Sequence, residues 1–344
     1  MSILEKIKIA YHNHQPFVAY RKPKELSVNL YIQKNDALHT SSNLTESGFI
    51  FAPFDNNNPS VLIPFNQSEF SQEEITITNQ YALNNDISSD ISSKKSHLDL
   101  VTAGVEAIQN GNFKKVVLSR KEQVALKNID ISSTFKKLLY TYSTAMVYVW
   151  YHPKVGLWFG ATPETLIKVN HQQFQTMSLA GTQVYQKDKE VTWEQKEIDE
   201  QQFVTDFILD KLTPITTHIT TSRVNTIKAG NLVHLQTKIS GEHSNNIAEI
   251  IEALHPTPAV CGLPKKASKQ FIIDNENYDR TYYTGFLGEL NLNNNSSIFV
   301  NLRCMEIQNN IANIYVGGGI TIDSSPEKEW LETVAKTGTM KKVL

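Results

Sequence analysis

Glu197 and Glu200 stand three residues apart in WEQKEIDEQQFVTDFILDKL (193–212), and Glu329 and Glu332 repeat that spacing in SPEKEWLETVAK (325–336). Three or four residues make one helical turn, so each pair occupies a single helix face. In the first segment that face continues as the apolar stripe Phe203, Val204, Phe207, Ile208 and Leu212. A carboxylate on the line of a buried stripe needs an ionic partner or a metal ion. The plain alternative is a stripe that simply ends, with both glutamates solvated where the helix dipole favours anions. The second segment opens with Ser325 as N-cap and Pro326 as first helical residue, and adds Lys336 to the face of Glu329 and Glu332. A solvated charge ladder would read the same way. Just before it, VGGGI (316–320) lets backbone amides approach a ligand closely and is compatible with anion recognition.

Other single residues carry chemistry of their own. In FKKVVLSRKEQ (113–123) two lysines precede an apolar strand. Successive side chains on a strand face opposite sides, so Lys114 and Lys115 cannot both face water if one side is buried. Glu164 follows a strand in GATPETL. Arg303 lies in IFVNLRCME, read as one strand with Phe299, Asn301 and Arg303 on a common face. A guanidinium in an apolar strand matches a carboxylate with its planar fork; an arginine that packs its stem and reaches the sheet edge is the alternative. His234, in LVHLQT, and His255, in LHPTPAVCGLPK, read equally well as core or bracing histidines.

These groups need a scaffold. The periodicity predicts helices over 97–110, 131–143, 192–212, 247–254 and 326–342. Strands are predicted at 48–53, 74–78, 114–119, 145–151, 157–160, 281–291 and 296–308, with further β pairs at 165–181 and 225–242 and the glycine strand around 313–322. The first 95 residues read as short strands and turns. FDNNNPS (54–60) and the stretch 84–97 read as loops. Strands come as meanders with helices inserted rather than as βαβ alternation, which points to an α+β fold with large antiparallel sheets.

Composition agrees with a globular protein: 40% of the 344 residues are hydrophobic and 20% charged. The formal net charge of −2 provides no basic field for nucleic acid and no polybasic membrane patch. No run approaches the 18 apolar residues of a membrane span, and the N-terminus lacks the apolar core of a signal peptide. Cys261 and Cys304 form no metal or disulfide spacing, which suits a reducing compartment. A cytoplasmic protein is expected. No surplus amphipathic helix or heptad run is visible, so a monomer is expected.

Taken together and in order, KKVVLSR, GATPETL, LAGT, LVHLQT, LHPTPAVCGLPK, NYDRTYYTGFLG, NLRCMEI, YVGGGI and SPEKEWLET resemble the chorismate-utilising enzymes, and among them the isochorismate synthases. The resemblance runs from about Phe113 to Lys336. It implies one chorismate-binding domain over 1–344, with a divergent part at 1–97 and the motif-bearing catalytic part at 98–344. Two large antiparallel sheets would pack on each other with helices outside. The implied reaction is Mg2+-dependent isomerisation of chorismate to isochorismate, feeding menaquinone or siderophore biosynthesis. Lys115 would be the general base, sharing its face with Val117 and Ser119, and Glu164 the general acid. Glu200 and Glu332 would hold Mg2+, with Glu197 and Glu329 supporting its water shell. Arg303 and Lys336 would bind substrate carboxylates, and Gly181, Thr182, His234, Ala259, Tyr283, Gly317 and Gly318 would complete the substrate site. Lys114, Arg120 and Lys336 are candidate cationic neighbours of Lys115.

The resemblance also orders the alternatives. Ala180 occupies the position where aminodeoxychorismate synthases carry a nucleophilic lysine, which argues against covalent capture. Salicylate synthase, which goes on to eliminate pyruvate, is the nearest rival, and HPTPAV favours the enzymes that stop at isochorismate. A catalytically silent binding subunit is the rival of another class. One departure stands out: the family pattern K-D-R-x-E-H is here Lys196 to Gln201, with Ile198 for the arginine and Gln201 for the histidine. The metal glutamate is kept; the packing of its helix is what changes.

Overall fold

The computed structural model describes residues 1–75, 92–187, 190–229, 232–243 and 247–344. Two antiparallel sheets of nine and ten strands form its centre. The first runs, edge to edge, through Gly262–Leu263, Lys115–Ala125, Ile311–Ile320, Cys304–Gln308, Gly156–Thr162, Met146–His152, Phe17–Arg21, Ser27–Gln33 and Ser68–Glu74. The second runs through Thr217–Thr221, Leu232–Glu242, Gln173–Val184, Thr165–Asn170, Asn295–Val300, Phe286–Leu292, Gly48–Ala52, Ser60–Pro64 and His39–Ser41, and Asn225–Ala229 also pairs with Leu232–Glu242.

The strand MVYVWYH (146–152) explains the layering. All seven residues are buried, because both of its faces are covered. Met146, Tyr148 and Trp150 point between the sheets, where they meet Phe49, Phe51, Leu287 and Phe299 of the second sheet. Val147, Val149 and Tyr151 point outward, under the helices Ile3–His12 and Ile131–Thr141. On the far side, Gln195–Leu212 and Ile247–Leu254 cover the second sheet. Helices therefore lie outside a sheet sandwich, as the α+β reading requires. No helix among the described residues is long and apolar enough to cross a membrane. Both cysteines are buried free thiols.

Several local expectations are corrected. The N-terminus is not all strand and turn: Ile3–His12 is a helix, started by a capping box between Ser2 and Glu5. The helix expected from 97 begins at Ser92, so only 84–91 of the expected 84–97 loop remain, outside the described residues. The strand expected at 74–78 is Ser68–Glu74, with 76–78 also outside them. The expected strand 296–308 is two strands in different sheets, Asn295–Val300 and Cys304–Gln308.

That last correction locates the site. The chain passes from one sheet to the other through Asn301–Arg303. Beside it, Pro163 and Glu164 make a second crossing, between Gly156–Thr162 and Thr165–Asn170. The two crossings are laced together: Val300 N–H donates to Glu164 O (3.0 Å), Ala161 N–H to Arg303 O (3.0 Å), and Thr162 Oγ1 to Val300 O (2.6 Å). Fully buried Asn301 accepts from Tyr148 Oη at 2.7 Å and donates to Tyr282 O at 2.9 Å. Arg303 turns the corner with φ +48°, so it does not share a strand face with Phe299 and Asn301 as expected. Phe299 belongs to the core between the sheets.

Candidate active site

The paired crossings put Glu164 and Arg303 side by side at the seam of the sandwich, on the wall of a cavity of about 80 Å3. Gly181, Thr182, Glu200, His234, Ala259 and Tyr283 line it too, as do Gly317, Gly318, Glu332 and Lys336. Twelve of the fifteen residues to which the resemblance gives a catalytic, metal or substrate role thus converge on one cavity. Glu197 and Glu329 line an adjoining cavity of about 530 Å3, which shares Thr182 and Glu332 with the first. Lys115 lies beneath the wall with no exposed surface, its Nζ 2.9 Å from Glu200 Oε1.

This settles the two lysines at the start of the 115–125 strand, Lys114 just before it and Lys115 its first residue. Lys114 is exposed and Lys115 is buried. Lys115 is accepted because Glu200 supplies the compensating charge from the neighbouring helix. Its expected partners on the same face divide. Val117 lines the cavity, whereas Ser119 is taken by Glu276 and Tyr278. Arg120 is not beside Lys115 either: its guanidinium bonds Thr333 Oγ1 (2.8 Å) and Glu122 (2.8 Å) and lies over Trp330.

Charged side chains press on the backbone of the glycine strand at Gly318 and Gly319. A Cβ on Gly319 would lie 2.3 Å from Glu200 Oε1 and 3.1 Å from Lys115 Cε. One on Gly318 would lie 3.1 Å from Glu329 Oε2. Gly181 is required twice over, by φ +69° and by Glu197 Cβ, 3.1 Å from where its own Cβ would be.

The helix 195–212 is docked by the residue that departs from the family pattern. Gln201, 2% exposed, lies with its amide within 3.0 Å of Ser178, Thr205 and Thr237 hydroxyls, joining helix to sheet. Ile198, the other departure, faces solvent at 44% exposure.

The electrostatics divide the ionisable groups into neutral and charged. Burial pushes the Glu164 carboxyl up to about 8, against the pull of Lys115, Arg303 and Lys336, so it carries a proton at neutral pH. Burial and then Arg303 push His234 down to about 3. The neutral ring donates Nδ1–H to Gly181 O at 2.9 Å, which leaves Nε2 a buried acceptor without a partner. Burial alone would raise Glu200, but the Lys115 ammonium, with Lys196 and Lys336, holds it below the usual carboxylate range. Lys336 Nζ bonds Gly317 O (2.9 Å) and Glu332 Oε1 (2.6 Å).

The four glutamates supply the hard oxygen donors that Mg2+ takes. Two of their oxygens, Glu197 Oε2 and Glu329 Oε2, are buried with no hydrogen-bond partner, and burial followed by the Glu332 charge raises the Glu329 carboxyl. By their chemistry these oxygens suit a hard cation. Three of the four are turned onto lysines, Glu200 on Lys115, Glu332 on Lys336 and Glu329 on Lys196 (2.6 Å). Accordingly, no three potential ligands among the described residues are gathered at metal-binding spacing.

The sequence reading missed part of the wall: Thr284, Leu302, Tyr315 and Gly319. Tyr315 stacks on Tyr283, with ring centroids 5.6 Å apart. Gly319 was visible as the third glycine of the triplet. Leu302, in the crossing, carried no signal in the strand pattern.

Residues 26–344 match the family model described as "Chorismate binding enzyme". The chain is 28% identical over 308 residues to the isochorismate synthase EntC of Escherichia coli, covering 84% of this chain and 78% of EntC. Its fold superposes on DhbC of Bacillus anthracis with a TM-score of 0.82 at 24% identity, covering 99% of both chains. On MenF, the menaquinone-specific isochorismate synthase of E. coli, the TM-score is 0.80 at 19% identity, with 96% and 88% covered. At these identities the two structures speak for the fold.

Proposed function

The chain belongs to the family of chorismate binding enzymes, and from that membership we propose that it is an isochorismate synthase, converting chorismate to isochorismate with Mg2+. The observation that carries the reading is Glu164: a carboxyl kept protonated to about 8, in a cavity that also presents Arg303 and Lys336 and has the Lys115 amine beneath its wall.

The reaction adds water at one ring carbon while the hydroxyl on another departs. Glu164 gives its proton to the departing oxygen, which turns a poor leaving group into water. Lys115 acts from its neutral form: the ammonium paired with Glu200 first gives up a proton, and Nζ then takes one from the attacking water. One proton is given and one taken, so the enzyme returns to its starting state once they are exchanged with solvent. Arg303 and Lys336 hold the two substrate carboxylates. His234 Nε2 accepts from a substrate hydroxyl, and Thr182, Ala259 and Tyr283 shape the wall between the backbone contacts of Gly181, Gly317 and Gly318. Glu200 and Glu332, with Glu197 and Glu329 beside them, would hold Mg2+, which would supply positive charge to offset the charge that builds on the substrate. Ala180 offers no amine for covalent capture. The product would enter menaquinone or siderophore synthesis, and the protein would act as a cytoplasmic monomer.

Purified protein incubated with chorismate and Mg2+ is expected to yield isochorismate at a rate indifferent to added ammonium. Chromatography with mass detection reads the products. Salicylate with pyruvate would replace this reading by salicylate synthase, and no turnover under any condition would replace it by a silent binding subunit.

Gly319→Ala tests the metal half. The added methyl collides with Glu200 Oε1 and Lys115 Cε. The expected result is weaker Mg2+ activation and at least about a tenfold loss of turnover, in keeping with the cost of a 1 Å misplacement. An unchanged Mg2+ titration would remove Glu200 from the metal site.

A further inference from the structure

The strand that carries Lys115 has an unusual outer edge. On its inner side Ile311–Ile320 pairs with it along its length. On the outer side its partner strand is only two residues long, Gly262–Leu263. Beyond that stub the ladder continues without a strand. Arg280 Nη2 donates to Val117 O at 2.7 Å, and Glu276 Oε1 accepts from Ser119 N–H at 2.7 Å. One side chain gives the N–H and the other the oxygen that a neighbouring strand would have given.

The pair is fixed internally. Arg280 grips Glu276 with both Nε (2.8 Å) and Nη2 (2.5 Å), and the two side chains are 2% and 1% exposed. Arg280 Nη1 then reaches Val260 O at 2.9 Å and Thr284 Oγ1 at 3.3 Å. Val117, Val260 and Thr284 are all on the cavity wall, on three segments distant in sequence. Ser119 Oγ also bonds Glu276 Oε1 (2.8 Å), the oxygen that Arg280 Nη2 holds, and Tyr278 Oη (2.6 Å).

We propose that Arg280, held by Glu276, is a positioning residue for the reaction: it sets the distance between the Lys115 strand, the Ala259–Val260 wall and the Tyr283–Thr284 turn. Neither side chain is among the residues lining the cavity. Arg280 acts through Val117 O, Val260 O and Thr284 Oγ1, on three residues that line it, and Glu276 acts through Arg280. A planar fork with five donors can hold three walls and a carboxylate together; an ammonium cannot. Ser268 Oγ holds Lys115 O itself at 2.9 Å, and Arg280 holds the same strand two residues on, at the cavity-lining Val117, so that a shift at Val117 bears on the stretch that carries Lys115.

The claim rests on the isochorismate synthase reading, and the test separates the two. Wild-type protein assayed for isochorismate decides the reaction; variant-to-wild-type ratios decide Arg280. Arg280→Lys is expected to stay folded by circular dichroism and to lose about 10–100-fold in kcat, with KM for chorismate within about threefold of wild type. Arg280→Ala is expected to regain part of that kcat when guanidinium is added at low millimolar concentration, before it denatures. Glu276→Gln keeps the shape and loses the charge that clamps the fork, and should fall between wild type and Arg280→Lys. Folded Arg280→Lys with kcat within twofold of wild type would overturn the proposal. So would losses in all three variants that merely follow the fraction of unfolded protein on a melting curve, which would make the pair structural only.

Discussion

Lys115→Ala should lose about 10²–10⁴-fold in kcat/KM, the range that one proton-transfer group contributes. The effect on the fold should be nearly as telling. Lys115 has no exposed surface, and Glu200, its partner at 2.9 Å, is 13% exposed. Removing one member of a buried ion pair leaves the other charge without compensation, at about 3–5 kcal/mol. A cation held by Glu200 would replace the lost ammonium. The variant should therefore melt well below wild type without metal and recover part of the difference in Mg2+, since a ligand that binds only the folded state stabilises it. Thermal melts with and without Mg2+ measure this alongside the rate. Near-normal turnover would remove Lys115 from the mechanism, and a melting point indifferent to both substitution and metal would contradict the pairing with Glu200.

Glu164→Gln should cost a similar factor, with a distinctive pH profile. The Glu164 carboxyl titrates at about 8, so wild-type turnover should fall above that pH as the acid loses its proton. The glutamine variant, with nothing to lose there, should keep only its low residual rate, with no decline centred near 8. Stability follows the same proton. Folding raises this carboxyl from an ordinary value of 4.5, so its contribution to stability is fully present below about pH 4.5 and is lost as pH rises through about 8. Wild type should thus lose stability between pH 6 and pH 9 relative to Glu164→Gln. Parallel pH dependences of melting in the two proteins would show that Glu164 is already ionised at neutral pH.

Residue patterns and structure agree best where a single element sets the geometry. The i, i+3 acids on 195–212 and 326–341 could be read from helical spacing alone, because each pair needs only its own helix. Lys115 could be reduced to one of two candidates, since a strand has two faces. Arg303 could not be placed correctly. Two-residue alternation says which face of a strand a side chain occupies, and nothing about which sheet the strand joins. The break at Asn301–Arg303 depends on a positive φ at an arginine and on Asn301 being gripped by Tyr148 and Tyr282, groups far away in sequence. The Glu276–Arg280 clamp was hidden for the same reason: its i, i+4 spacing resembles any surface ion pair until the bare edge it covers is known. The N-terminal helix is a different kind of miss. Ser2 and Glu5 held the capping signal, but the helix gains its stability from packing on Phe135 and Leu138, more than 120 residues later.

The N-terminal strands are also a seal. Phe17–Arg21 covers the flank of Met146–His152, and Gly48–Ala52 covers that of Phe286–Leu292. A protein trimmed to its motif-bearing part would keep every candidate catalytic side chain and bare both flanks at once. Each would be a seven-residue, mostly apolar strand with a row of unpaired N–H and C=O groups, and between them Glu289 is the one acidic or basic charge and no proline is present to keep such margins from templating onto one another. Such a fragment would be driven to self-association before its chemistry could be measured. The first quarter of the chain, which carries none of the candidate catalytic side chains, is thus what keeps these two flanks covered.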